Sequence, residues 1–143
     1  MNGMKSVVLG CAALLGGLFG QLFGGWSAAL GTLMFCMAAD YITGLLVAGV
    51  FHASDKTPGG GLESRAGWKG LCRKGATLLI VLVASRVDLA LGTAFVRDAV
   101  IVGYIANEVI SIIENAGLMG VPVPPALMNA IEVLQGKGEQ HGD

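Results

Sequence analysis

Charge is what this sequence has least of. Only 13% of its 143 residues are Asp, Glu, Lys or Arg, where an ordinary soluble domain carries about 25%. Hydrophobic residues make up 54%, and mean hydropathy is +0.70. A soluble domain so composed would lack the polar surface to cover itself, so the chain reads as a polytopic membrane protein. Cysteine is also scarce. Cys11, Cys36 and Cys72 lie far apart, with no CxxC and no neighbouring histidine, which excludes a metal or redox centre. They read as small apolar packing residues. His52 and His141 each lack a partner in sequence. There is no GxGxxG, P-loop, HExxH or GxSxG, and no Ser/His/Asp set with sequence logic. No enzymatic activity, cofactor or metal is expected. The net charge of −1 identifies no partner, because the charges are clustered rather than spread.

Apolar runs are what the chain does have. Ser6–Phe23 is of minimal spanning length, and its hydrophobicity continues past Cys11, so it reads as a retained helix rather than a cleaved signal. Within it Ala12, Gly16, Gly20 and Gly24 recur every four residues. Small residues at that spacing form a groove where another helix backbone approaches closely. Gly24-Gly25-Trp26 reads as a turn at the bilayer surface, anchored by the indole. Ser27–Phe51 follows, interrupted by Asp40, with Thr43 and Gly44 on the same face. An aspartate at that depth costs on the order of 3 kcal/mol and must face the bundle, pair with a cation or be protonated.

His52–Lys74 is the long polar segment. Ser54–Gly61 is flexible by composition. Ser64 is placed to cap a short helix in which Arg65, Lys69 and Arg73 recur at i, i+4, i+8. Together with Trp68 and Lys74, they read as a basic interfacial helix in the headgroup layer. The excess of cations puts this loop in the cytoplasm by the positive-inside rule, and a membrane surface suits it better than nucleic acid. Gly75–Val96 is the third run, carrying Arg86 and Asp88.

The fourth, Val96–Asn115, is apolar around one polar stripe: Asn107, Ser111 and Glu114 at i, i+4, i+7, with Glu108 and Asn115 alongside. In lipid that stripe must face protein or a water-filled lumen. If the last two runs form a hairpin bending near residue 97, Arg86 and Glu108 lie at one depth, ~16 Å from the bend. They are expected to pair, within or between chains. Beyond the breaks at Gly117, Gly120 and Pro122–Pro125, Ala126–Leu134 reads as an amphipathic helix too short to span. The expected architecture is all-α, one domain over residues 1–135 with a polar tail over 136–143. Its spans lie at about 6–24, 26–51, 75–96 and 99–115. Three spans, with the glycine-rich first run off the spanning path, is the alternative. With four, both termini are cytoplasmic.

Several of these stretches also resemble the toxin-secretion/phage-lysis family of phage holins. They are Asp40-Tyr41-Ile42-Thr43-Gly44, Gly70-Leu71-Cys72-Arg73-Lys74, Arg86-Val87-Asp88, Tyr104 through Asn115, and Gly120-Val121-Pro122-Val123-Pro124. The resemblance runs from about Leu33 to Leu134, and NE-x-x-S-x-x-EN followed by G-x-P-x-P is its most specific part. It implies a protein of the bacterial cytoplasmic membrane that associates with itself into lesions lined by polar stripes. Through these an endolysin-type hydrolase, or a secreted protein, would leave the cell, and an antiholin is a conceivable regulator. Two other readings fit the residues alone. A small ion- or proton-coupled transporter would explain Asp40, Glu108 and Glu114, although no inverted repeat links the hairpins. A structural subunit of a membrane complex would explain the polar helix faces. An adjacent gene for a peptidoglycan hydrolase would favour the holin.

Overall fold

The structure, a computed structural model, describes residues 2–140; residues 1 and 141–143, His141 and the end of the expected polar tail among them, lie outside it. Five helices follow one another: α1 (Asn2–Leu22), α2 (Ala28–Gly49), α3 (Ser64–Leu91), α4 (Val96–Leu118) and α5 (Pro125–Gln140). The all-α expectation holds. Of the five, α1 and α2 are long and apolar enough to cross a membrane. At ~1.5 Å per residue α3 and α4 also have the length, about 42 and 34 Å, but charge interrupts them.

Each boundary has a local cause. The Ser27 hydroxyl accepts the Leu30 amide at 3.1 Å and caps α2. Gly92 ends α3 in the left-handed region at φ 67°, and Gly120 does the same beyond α4 at φ 76°. Pro125 opens α5 where its missing amide costs nothing. Three expectations change. The short basic helix and the third span are one continuous helix, α3, with Ser64 inside its first turn and Glu63 at the cap. A single Gly75 does not stop it, since glycine costs a helix interior only ~1 kcal/mol. Gly117 likewise stays within α4. The last helix runs from Pro125 to Gln140 rather than ending at Leu134, so residues 136–140 are helical rather than a loose tail.

α2 and α3 both pack on α4, and α5 lies along another side of α4, burying Ile131. The apolar core is Phe23, Leu30, Leu33, Cys36, Met37, Val81, Ile101 and Ile105. Phe23 comes from the α1–α2 turn and the others from the first halves of α2 and α4 and the second half of α3, so the core fills the end of the bundle that holds the α1–α2 and α3–α4 turns. Arg97 ties those turns together, donating to the carbonyls of Phe23 at 2.6 Å and Gly25 at 2.9 Å. α1 is held at its C-terminal end and packs along no other helix. Val8, Leu9, Leu14 and Leu15 are all exposed. The opposite end of the bundle is polar.

Candidate functional site

Asp40 and Glu108 sit at one depth, about 18 Å from the starts of α2 and α4. Between them reaches Lys74 of α3. Its ammonium donates to Asp40 Oδ2 at 2.7 Å and Glu108 Oε2 at 2.6 Å, and the three side chains are only 10–15% exposed. Asn115, about two turns further along α4 than Glu108, donates to Thr43 Oγ1 at 2.9 Å, Asp40 Oδ1 at 3.2 Å and the Asp40 carbonyl at 3.3 Å. Thr43 in turn donates to the carbonyls of Ala39 and Asp40. The bonds of Lys74 and Asn115 cross between helices, so the network specifies how α2, α3 and α4 are registered. Charge-assisted bonds of this length are the stronger kind, and one ammonium shared by two carboxylates leaves a net charge of −1.

Asp40, Lys74, Glu108 and Asn115 line a cavity of about 490 Å³, together with Ser111, Asn107 and Tyr104 of α4 and Arg73 and Thr77 of α3. Residues of the 50–63 loop line it too, including Asp55, Lys56 and Glu63. That loop, expected to be loose, is cross-braced. Ser54 N donates to the Gly60 carbonyl at 3.0 Å, and Thr57 Oγ1 donates to that of Gly61 at 2.9 Å. Gly60 adopts φ 73°, and a Cβ there would run into the His52 carbonyl. The Tyr41 hydroxyl donates to the Gly67 carbonyl at 3.4 Å, fastening α2 to α3 beside the cavity.

The predicted residues thus separate. Asp40, Glu108, Ser111 and Asn115 come together. Asn107 is exposed at the cavity edge, and Glu114 is exposed on the outer face of α4. Lys74, read as part of the surface basic row, is the interior cation, and Arg86 does not pair with Glu108 within the chain. Arg86 is exposed and makes no ion pair among the described residues. The equal-depth reasoning failed because it searched only the run after Gly75 for a cation, whereas α3 continues through Lys74. Asp88 is buried, but it serves the bend. It accepts Thr93 Oγ1 at 2.6 Å and the amides of Val96 and Arg97 at 3.0 and 2.9 Å, capping α4.

Among the glycines, Gly20 is covered by the chain's own Trp26, whose ring a Cβ would meet at 2.5 Å. The indole donates to the Gly16 carbonyl at 3.1 Å and stacks on Phe19. Gly24 lies in the turn, not on α1, with φ 79° against Ser85. Arg65, Trp68, Lys69 and Arg73 are all exposed on the first turns of α3. Sequence reasoning missed the roles of Lys74, Tyr41 and Arg97. For Lys74 the signal was present: on a continuous helix it points ~100° away from Arg73, off the basic row.

The model of a bacteriophage holin family matches residues 17–136, taking in the whole cavity and both turns. The chain belongs to the bacteriophage holin family. A relative from Listeria monocytogenes, an uncharacterized protein, is 43% identical over 123 residues, covering 85% of this chain and 82% of the relative. One from Halalkalibacterium halodurans, also uncharacterized, is 37% identical over 139 residues, 93% and 97% of the two chains. The protein named probable holin of Bacillus phage phi105 is 32% identical over 102 residues, 71% and 70% of the two. No solved structure matches the chain. The arrangement offers buried ion pairing between helices, and no group of three or more potential metal ligands is assembled among the described residues.

Proposed function

We infer that this protein acts as a holin, accumulating in the bacterial cytoplasmic membrane and assembling with itself into lesions that let a cell-wall hydrolase reach its substrate. In this reading α1 to α4 cross the bilayer. The loop between α2 and α3 and both termini face the cytoplasm, as Lys56, Arg65, Lys69 and Arg73 favour. The observation that carries the reading beyond family membership is how polarity divides within the fold. The polar side chains of α2, α3, α4 and the 50–63 loop gather around the cavity, while Leu30, Leu33, Val81 and Ile101, all at 0% exposure, fill the other end. With that end packed by apolar side chains, the lesion in this reading forms between copies. Exposed Asn107 at mid-helix and Glu114 nearer the C-terminal end of α4 supply the motive, since a polar group left unsatisfied in hydrocarbon costs several kcal/mol. Copies that turn those faces toward a shared hydrated interior relieve that cost as concentration rises.

A proton- or ion-coupled transporter is the second reading, favoured by a cavity lined by the carboxylates of Asp40 and Glu108. Expression at graded levels separates the two. A hole-former releases a folded cytoplasmic reporter abruptly above a threshold and lyses cells when a cytoplasmic hydrolase is present. Graded ion flux at every level, with no passage of protein, would favour the transporter.

A further inference from the structure

The first turns of α3 carry charge that the fold does not use. The helix is 28 residues, about 42 Å, while a bilayer's hydrocarbon is only ~30 Å thick. With Leu91 at one boundary, roughly eight residues project past the other, so Arg65, Trp68 and Lys69 stand in the headgroup layer. Arg73 is within reach of that layer by extending its side chain. Arg65, Lys69 and Arg73 are exposed, and none has a carboxylate within ion-pair distance among the described residues, whose ion pairs involve only Lys74 and Arg97. The acids nearest in sequence, Asp55 and Glu63, line the cavity, as Arg73 also does, and neither makes an ion pair among the described residues. Interleaved with the cations are large apolar groups turned outward: Trp68 at 67% exposure, with Leu62 and Leu71. Unpaired cations beside an exposed indole match a layer that is anionic above and hydrocarbon below.

We propose that this end of α3 is a binding surface for the phosphate headgroups of anionic phospholipids, with Arg65, Lys69 and Arg73 on the phosphates and Trp68 among the upper acyl chains. Zwitterionic lipids carry the same phosphate, but its charge is offset by their own ammonium, so the surface distinguishes lipids by net charge. The inference rests on the spanning orientation given under Proposed function.

The test uses the full chain with Trp26→Phe, which leaves Trp68 as the one tryptophan. The protein is reconstituted in liposomes containing an equal small fraction of dibrominated phosphatidylglycerol or dibrominated phosphatidylcholine, and quenching of Trp68 emission is measured. The brominated phosphatidylglycerol should quench at least about twofold more, because several cations each attract the anionic lipid. The excess should vanish in R65Q/K69Q/R73Q and persist in R65K/R73K. Single substitutions R65Q and K69Q, each lowering the ratio, serve if the triple variant does not reconstitute. Equal quenching by the two lipids overturns the lipid surface while leaving the spanning orientation standing. No quenching by either overturns both. An excess that survives in the triple variant overturns the assignment to these residues.

Discussion

Replacing Lys74 with methionine removes one charge and leaves two facing each other. Its ammonium lies 2.7 Å from Asp40 and 2.6 Å from Glu108. The two carboxylate oxygens are therefore no more than about 5.3 Å apart. At an effective dielectric of ~20 their repulsion is about 3 kcal/mol. Truncating one member of a buried pair typically costs ~3–5 kcal/mol, because the partner is left desolvated and unpaired. The two figures agree, and the burial of all three side chains places the site in that regime. K74M should therefore lower the midpoint of thermal unfolding in detergent by about 6–20 °C, at roughly 2–4 °C per kcal/mol. The informative comparison is the triple variant D40N/K74M/E108Q. Neutralising the whole set removes the repulsion and much of the desolvation cost, so the triple variant should be more stable than K74M alone. If K74M melts with the parent protein, or the triple variant is the least stable of the three, then the network does not hold the helices together.

The remaining expectations are more local. A cysteine at Thr57, in a background without the native cysteines, should resist an impermeant thiol reagent in intact cells, while one at Val96 should react; the reverse pattern would invert the topology. R97Q removes the guanidinium that joins the carbonyls of Phe23 and Gly25, and at ~1.5–3 kcal/mol for a charged hydrogen bond it should expose the α1–α2 turn to limited proteolysis. G20L cannot coexist with the ring of Trp26 in its present place, so in a Trp68→Phe background the Trp26 emission should shift; an unchanged spectrum would mean the ring does not rest on Gly20. N107L/E114L alters exposed positions and should change monomer stability by no more than ~0.5 kcal/mol, yet weaken crosslinked oligomers; intact crosslinking would move the shared face elsewhere.

Much of the fold was readable because apolar runs bounded by glycine, tryptophan and proline leave few choices. α2 and α4 fall within a few residues of the expected spans for that reason. α3 did not, because the step from polar to apolar near Lys74–Gly75 was taken as the end of an element. It marks only a change in surroundings, and the backbone hydrogen bonds of a helix continue across such a step. That one boundary decided the site. With α3 broken at residue 74, Lys74 belonged to the surface and Arg86 became the only cation at depth. With α3 continuous, Lys74 turns inward to the two carboxylates. Asp88 failed differently. It stood out only as a charge within the third apolar run, and its partners, the Thr93 hydroxyl and the amides of Val96 and Arg97, lie at the bend rather than across the bundle. Arg97 was seen only as a marker of the bend, since its acceptors are carbonyls more than seventy residues away.

The polar groups of this chain divide into those already satisfied and those left over. Among the described residues no buried side-chain nitrogen or oxygen lacks a hydrogen-bond partner. Asp40, Lys74, Glu108, Thr43 and Asn115 close on one another, and Asp88 closes on the bend. Such a set gives a copy no reason to seek another. Among the described residues, groups without side-chain partners are exposed: Glu114 on the outer face of α4, Asn107 at the cavity edge and Arg86 on α3. In water they would need none, and in lipid each is a cost that rotation toward a like surface removes. Damage to the interior set should therefore unfold the single copy, whereas damage to the outer set should leave it folded and alone. A hydrated path built by association would be lined by the outer face of α4, with the Lys74 network standing behind it as the brace that keeps that face turned outward.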